Sequence, residues 1–300
     1  MKPSTLPDTS VDFALLRELF GRLIEVQAGN PLAPDDRWKN HAQVLLIKVF
    51  RHLESIETIF KGVSTSLEGK FYPHYVDHAS IAVLVRAAFE TYMMFHFIFC
   101  AKTPELRQLR YKVWEYVGLR ERQALHGTVL AKAQWQHVVS TDNRRIQALD
   151  KEIRADGLFA QYTKDNKDKV LKKNDVKMGL RWMDLAEESG FPRKYAHDMY
   201  SHFCNYAHSG FVSVLQIRDA AQAGDYKQLA SVAISFCALL MGQIIDNYAR
   251  LFSPVNQALQ NDSEALALLE RWQALLGRLG TLYGAEAQRS PKDKIEQHRN

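Results

Sequence analysis

The chain has 300 residues, of which 46% are hydrophobic and 24% are charged, so it is long and apolar enough to bury a sizeable core. Its 15 glycines and 9 prolines are few for a β-rich protein of this length. The three cysteines are odd in number and widely spaced, which excludes a disulfide framework and a CxxC metal site. A net charge of +5 favours an anionic partner without requiring one.

The same features predict a cytoplasmic protein. Cys100, Cys204 and Cys237 lie in apolar helical segments and are interpreted as reduced core thiols. The first ten residues, MKPSTLPDTS, contain no apolar stretch, so no secretory signal is expected. The uncharged run 229–245 is at the short limit for a membrane span and contains serines and a glutamine, so we expect a buried central helix and no membrane partner.

Apolar residues recur at helical spacing almost throughout, and no alternating strand pattern is evident, which predicts an all-α bundle of roughly nine helices. Asp77 is expected to cap the third helix. Thr103-Pro104-Glu105 is typical of a helix start, with a cap, a proline and an acid in order. In chain order, the predicted helices cover about 10–26, 35–61, 76–101, a long helix from 103 with a break expected near 127, 143–154, 175–188, 193–208, 211–220, 225–252 and 263–283.

Between these helices, two stretches are predicted to be loops, SLEGKFYPHY at 66–75 and the polar stretch 161–177. We expect a single all-helical domain over 1–283 with its core at about 34–252. The polar residues 284–300 are expected to form a disordered tail.

Two charged residues interrupt the third predicted helix, which is otherwise apolar around its circumference over 76–100. Arg86 and Glu90 are four residues apart, so their side chains can meet on one helix face. Because neither side of the helix is polar, the pair is expected to be buried, where an unpaired charge is very unfavourable. Two interpretations stay open: an ion pair that holds neighbouring helices in register, or an arginine that meets a phosphate while Glu90 orients it.

The segment 193–210, RKYAHDMYSHFCNYAHSG, has a stripe of polar side chains along one helix face. Histidine exchanges protons near neutral pH, so His208 is a candidate acid/base, and the others are candidates for substrate binding. A solvated polar face, helix capping or interface packing are the alternatives. No set of residues with metal-ligand spacing accompanies the stripe, so neither a metal nor another cofactor is expected. The members of the stripe are His197, Ser201, Asn205 and His208.

Seven basic and three acidic residues lie between Lys164 and Arg181. Lys172 and Lys173 are therefore candidates for contacting a phosphate backbone. Since aromatic residues are sparse in this segment, a solvated loop is the alternative interpretation.

Three short motifs are shared with other proteins: R-A-x-F-E-x-Y at 86–92, W-x(3)-A-x(3)-G at 182–190 and Y-x(4)-Y-S-x(6)-H at 195–208. On these motifs the chain resembles uncharacterised bacterial helical families called domains of unknown function, over roughly residues 40–250. Those families look like relatives of the higher-eukaryote-and-prokaryote nucleotide-binding (HEPN) domains.

Many HEPN domains are metal-independent ribonucleases of toxin, defence and CRISPR systems. The resemblance implies a HEPN-like core and a homodimer that builds the site. Their catalytic signature is Arg-x(4–6)-His, and His208 matches its histidine. His202 stands where the arginine of that signature is expected, so Arg86 from another helix would supply the cation.

Two functions follow. The first is a metal-independent endoribonuclease of a bacterial defence or toxin system, with His208 as acid/base, Arg86 stabilising the phosphate charge and Glu90 beside it. The second is a non-catalytic helical module that binds a nucleotide, RNA or a partner protein. A metal-dependent hydrolase is disfavoured because the chain lacks a carboxylate–histidine ligand set. Convergence of the three residues in an open site favours the enzyme, whereas dispersal or burial favours the module.

Overall fold

The computed structural model describes residues 9–36, 38–129 and 133–288. Within these ranges the chain is almost entirely helical, with thirteen α-helices, one 3-10 helix at Pro34–Asp36 and one antiparallel strand pair, so the all-α prediction is confirmed. The helices outnumber the roughly nine that were expected. In chain order the elements are α1 Thr9–Ala28, α2 Trp38–Lys61, β1 Val63–Leu67, β2 Lys70–Tyr75, α3 His78–Phe99, α4 Pro104–Val129, α5 Ala133–Ala155, α6 Gly157–Ala160, α7 Lys164–Lys173, α8 Trp182–Glu188, α9 Arg193–Ala207, α10 Phe211–Ala223, α11 Tyr226–Leu251, α12 Ser253–Gln260 and α13 Ser263–Gln288.

The chain divides into two compact units. Unit 1 contains the described residues up to Met93 and those from Ala186 onward, and unit 2 is Met94–Leu185. The single domain expected over 1–283, with its core at 34–252, stays a prediction. The expected tail at 284–300 begins inside α13, and residues 289–300 lie outside the described residues.

The predicted loop at 66–75 instead forms most of a β-hairpin, with the end of β1, the turn and all of β2. β1 and β2 pair antiparallel, and Leu67 and Lys70 face each other across a two-residue turn. Both turn residues have positive φ, 51° at Glu68 and 76° at Gly69, as the tight turns of hairpins require. The Glu-Gly pair is the signal for this hairpin, although it is weaker than Asn-Gly or Asp-Gly.

The predicted loop at 161–177 is also wrong over most of its length, because it contains helix α7. The Thr163 hydroxyl caps the helix by accepting from the backbone N–H of Asn166 at 3.3 Å. Asn174, in the left-handed conformation, ends it. Opposite charges four residues apart stabilise a helix that has few apolar residues. These pairs are Lys169–Asp165 at 2.8 Å and Lys172–Asp168 at 2.9 Å.

The core of unit 1 is built around α11, which packs against α1, α12 and α13. The apolar run 229–245 lies inside this helix and is mostly buried, as expected of a central helix. A buried carboxylate links the two ends of the unit's sequence, since Asp12 in α1 accepts from Arg271 and from Trp272 Nε1 in α13, the latter at 3.1 Å.

The part of α3 in unit 1 is fixed by a cap and by aromatic packing. Asp77 accepts from the Ser80 N–H at 3.1 Å, so it caps α3 as predicted. Farther along the helix, the ring of Phe89 lies edge-on to Phe191 and Phe236, with centroids 5.0 and 4.9 Å away. This packing holds α3 against α11 and the turn before α9.

Unit 2 begins within the last turns of α3. Thr103 caps α4 by accepting from the Leu106 N–H at 3.3 Å, which confirms the predicted helix start at Pro104. Arg110 in α4 is almost fully buried and donates to the Phe97 carbonyl at 2.9 Å, so it satisfies a carbonyl in the last turn of α3. α4 then packs against α5.

Two helices of the described chain, α3 and α11, are long and apolar enough to cross a membrane. Most of the apolar stretch in each is buried inside the protein, and core helices of soluble proteins pass the same test. Their composition is therefore weak evidence in either direction, and the absence of a membrane partner stays a prediction.

Candidate functional site

The site begins on a stripe of α3 that is open to solvent. The side chains of Arg86 and Glu90 are 23% and 27% exposed, and Val83, one turn earlier, is 41% exposed. The prediction of a buried ion pair is therefore wrong. Small and apolar residues such as Val83 and Ala87 share this stripe, which made the whole circumference of α3 look like core, but apolar residues are common at protein surfaces.

One carboxylate oxygen of Glu90 accepts two hydrogen bonds. Arg86 Nε donates to Glu90 Oε1 at 3.0 Å, and the Tyr200 hydroxyl of α9 donates to the same oxygen at 2.6 Å. The guanidinium of Arg86 also lies over the Tyr200 ring, 5.4 Å from its centroid. Arg86 is thus fixed through its Nε, and its contact with His208 comes from its terminal nitrogens.

One of those terminal nitrogens meets His208. Arg86 Nη1 lies 3.2 Å from His208 Nε2, and His208 is the exposed residue at the carboxyl end of α9. Because arginine only donates hydrogen bonds, Nε2 must accept, which requires neutral imidazole with its proton on Nδ1. Arg86, Glu90 and His208, predicted as catalytic from separate segments, are therefore brought together on one accessible surface.

The face of α9 that meets α3 carries Tyr200, Cys204 and His208, each four residues after the last and so on one side of the helix. Burial and the bond to Glu90 raise the pKa of Tyr200 to about 12. Burial likewise raises the pKa of the Cys204 thiol. Cys204 is half-buried beside Arg86 and not a core thiol as predicted, whereas Cys237 is buried. The four-residue spacing from His208 is the signal by which Tyr200 and Cys204 could have been found.

The other residues of the predicted stripe lie to one side of this face. His197 is exposed near the start of α9, where its Nδ1 lies 3.3 Å from Asp198 Oδ1, roughly 16 Å along the helix from His208. Asn205 donates to the Ser201 carbonyl at 3.1 Å and abuts Gly210, where an added Cβ would lie 2.5 Å from its Oδ1. Asn205 thus shapes the turn after α9, and the substrate-binding roles of these three residues stay predictions.

The two predicted lysines belong to unit 2, whereas the residues described above all belong to unit 1. Lys172 is 70% exposed and pairs with Asp168, and Lys173 is exposed in the last turn of α7. Their contact with a nucleic acid stays a prediction.

Among the described residues, this surface has no metal-binding cluster, and histidine occupies position 202, where the resemblance predicts an arginine. Among the described residues, no group of three or more His, Cys, Asp or Glu side chains is arranged to hold a metal ion. His202, which stands where the HEPN signature has arginine, packs between the rings of Phe203 and Tyr206 at 5.5 and 5.3 Å. Burial lowers the pKa of His202, so this ring is neutral at physiological pH.

Of three comparisons with known proteins, one gives a match. Searches of curated proteins and of solved structures found no match. A family model described as a family of unknown function (DUF5677) matches residues 45–222, which is more than half of the chain and includes Arg86, Glu90, Tyr200 and His208. The chain therefore belongs to this family of unknown function, DUF5677.

Proposed function

We propose that the Arg86–His208 site binds a phosphodiester of RNA and cleaves it without a metal ion, on a HEPN-like helical core. The observation that carries the proposal is the 3.2 Å contact between Arg86 Nη1 and His208 Nε2. It places a permanent cation and a proton-exchanging imidazole side by side at an exposed surface, which is what phosphoryl transfer without a metal requires.

Glu90 and Tyr200 prepare Arg86 for this role. Glu90 takes the Nε edge of the guanidinium, and Tyr200 both bonds Glu90 and underlies the guanidinium plane. An arginine held in this way loses little conformational freedom on binding an anion, so its Nη atoms can donate to two phosphate oxygens. Tyr200 keeps its proton at neutral pH, since its pKa is about 12.

In the proposed reaction, a phosphate oxygen replaces His208 Nε2 as the acceptor of the hydrogen bond from Arg86 Nη1. The freed Nε2 of His208 then takes the proton of the ribose 2′-hydroxyl. The 2′ oxygen forms a bond to phosphorus, the bond from phosphorus to the 5′ oxygen breaks, the 5′ oxygen takes a proton from solvent, and His208 returns its own proton to solvent. The products are a 2′,3′-cyclic phosphate and a 5′-hydroxyl, and Arg86 stabilises the charge that develops on the phosphate oxygens.

The biological setting of the proposal rests on the HEPN resemblance. We place the activity in a bacterial defence or toxin system in the cytoplasm, with a homodimer as the working form. In such an assembly two copies of the His208 surface would act on one RNA or on two.

A non-catalytic module is the second candidate, and one observation favours it. His208 is the single imidazole in contact with Arg86 among the described residues, and the Tyr200 hydroxyl already donates its proton to Glu90. A site with one proton-exchanging group can bind an anionic nucleotide or an acidic partner protein without turning it over.

Purified protein is incubated with labelled RNAs of varied sequence, beside His208→Ala and the control His137→Ala, which removes an exposed imidazole in unit 2. We expect wild type and the control to produce fragments with cyclic phosphate ends, and His208→Ala to bind RNA without cleaving it. Cleavage should persist in EDTA. Binding without cleavage by wild type would favour the module, and full activity in His208→Ala would remove His208 from the mechanism.

A further inference from the structure

Helix α10 is arranged with its large apolar residues outside. Phe211 is 75% exposed, and Val212 and Val214 are 52% and 53% exposed. The residues that α10 buries are small, Ser213 and Ala220. An ordinary surface helix buries its apolar side chains and exposes its polar ones, so these exposed residues indicate a surface that binds something.

This apolar surface starts next to the candidate site. His208 ends α9 and Phe211 is the first residue of α10, so three peptide units limit their Cα separation to roughly 11 Å. The turn between them is well defined. Ser209 has a φ of +52°, and the Gly210 N–H donates to the Asn205 carbonyl at 2.7 Å. The Ser213 hydroxyl closes the first turn of α10 by donating to the Gly210 carbonyl at 2.7 Å.

We propose that Phe211 is a base-stacking residue, and that the ligand of this surface is single-stranded RNA with an unpaired base on the Phe211 ring and its phosphate on Arg86 and His208. This inference rests on the proposed function and adds the class of substrate to it. An exposed aromatic ring beside a phosphate-binding cation is the combination with which proteins hold single strands, because every base has a face that stacks. Bases in a duplex are already stacked on their neighbours and do not reach such a ring.

Charge favours a nucleic acid over a protein at this place. Phe211 follows His208 by three residues, and Arg86 brings Nη1 to His208 while its Nε donates to Glu90, so a guanidinium nitrogen that is not bonded to the carboxylate can donate to a phosphate here. A phosphate beside an apolar base complements that combination. A second copy of the chain would bring another Arg86 surface of the same charge, and is treated as an outcome of the test.

The test measures binding without cleavage. The probe is a short fluorescein-labelled 2′-O-methyl RNA, which lacks the attacking hydroxyl, in three forms: single-stranded, paired with its complement, and single-stranded with abasic sites. Its affinity is measured by fluorescence anisotropy for wild type, Phe211→Ala, Phe211→Tyr, Arg86→Ala and the control Val214→Ala, which trims another exposed apolar residue of α10.

We expect Phe211→Ala to weaken binding of the single strand about 5- to 150-fold, with Phe211→Tyr close to wild type and Val214→Ala changing it less than about twofold. The abasic strand should bind wild type and Phe211→Ala equally, and the duplex should bind worse than the single strand. Arg86→Ala should weaken all three probes.

Three results would overturn the inference. If wild type binds single-stranded and abasic probes equally, Phe211 does not stack bases, although the proposed function stands. If no probe binds wild type, the proposed function fails as well. If Phe211→Ala converts a dimer to a monomer in sedimentation and leaves RNA affinity unchanged, the surface binds a second copy.

Discussion

Arg86 and His208 lie 122 residues apart in the chain, yet their side chains meet at 3.2 Å. The contact joins the middle of α3 to His208, the first residue after α9, and the packing of Phe89 against Phe191 holds the same helix against the turn before α9. Because the guanidinium is also bonded to Glu90, the cation is in place before any ligand binds. Preorganised charge of this kind is what makes an anion site selective.

Tyr200→Phe tests whether that preorganisation matters. The substitution removes the 2.6 Å bond to Glu90 but keeps the ring under Arg86. We expect a loss of stability of about 1 kcal/mol, typical of one hydrogen bond, and a clear fall in affinity for RNA, because Glu90 then holds Arg86 less firmly. Chemical denaturation and RNA binding measure the two effects.

The matched control is Tyr283→Phe, which removes the hydroxyl of another half-buried tyrosine, packed on Tyr195 and away from Arg86. It should leave RNA affinity unchanged. If both variants bind RNA as wild type does, Tyr200 has no positioning role.

The choice of Arg86, Glu90 and His208 could be made from sequence because each is out of place in its segment: two charges in an apolar helix and a histidine at a helix end. The exposure of Arg86 and Glu90 could not be predicted, because a helix face that carries Val83 and Ala87 has the same sequence pattern whether or not another element covers it. The helix start at Pro104 was predictable because caps act within one turn. Tyr200 was missed because its role depends on Glu90, a contact between distant segments.

Two fully buried tyrosines, Tyr92 and Tyr248, differ in the hydrogen bonds that their hydroxyls make. The Tyr92 hydroxyl donates to the Ser189 carbonyl and accepts from Asn247 Nδ2, both at 3.1 Å. The Tyr248 hydroxyl is buried and has no hydrogen-bond partner among the residues that the structure describes. We expect Tyr92→Phe to cost about 1–3 kcal/mol, since it leaves buried polar groups unpaired, and Tyr248→Phe to be neutral or stabilising by up to about 1 kcal/mol. Urea denaturation of both variants tests this, and equal losses would contradict it.

A glycine in the turn before α9 is predicted to be essential for stability. Gly190 has a φ of +94°, and an added Cβ would lie 3.0 Å from Gln243 Oε1. Gly190→Ala should therefore cost about 1–2 kcal/mol or more. Gly277 lies in α13, and an added Cβ there would meet open space. Gly277→Ala should therefore stabilise the protein by up to about 1 kcal/mol, because alanine favours the helix more than glycine does. Thermal melting points that move in the same direction would refute this contrast.

Two imidazoles of unit 1 are expected to make the protein less stable at acidic pH. His78 and His202 both pack against the ring of Tyr206, with centroids 5.6 and 5.3 Å away. Burial lowers the pKa of each imidazole below its ordinary value of 6.5, and for His78 the nearby His202 lowers the pKa further while Asp77 partly raises it. The unfolded chain therefore binds protons near pH 6 that the folded protein does not.

It follows that the contribution of these two imidazoles to the free energy of unfolding is at its full value above pH 6.5. This contribution falls as the pH drops below 6.5, and it levels off once the folded imidazoles also bind protons. Removing one of them should flatten this fall, so His202→Gln should lose less stability between neutral and acidic pH than wild type, whatever its stability at neutral pH. Denaturation midpoints on either side of pH 6.5 measure the slopes, and a His202→Gln slope as steep as that of wild type would show that this imidazole does not couple folding to pH.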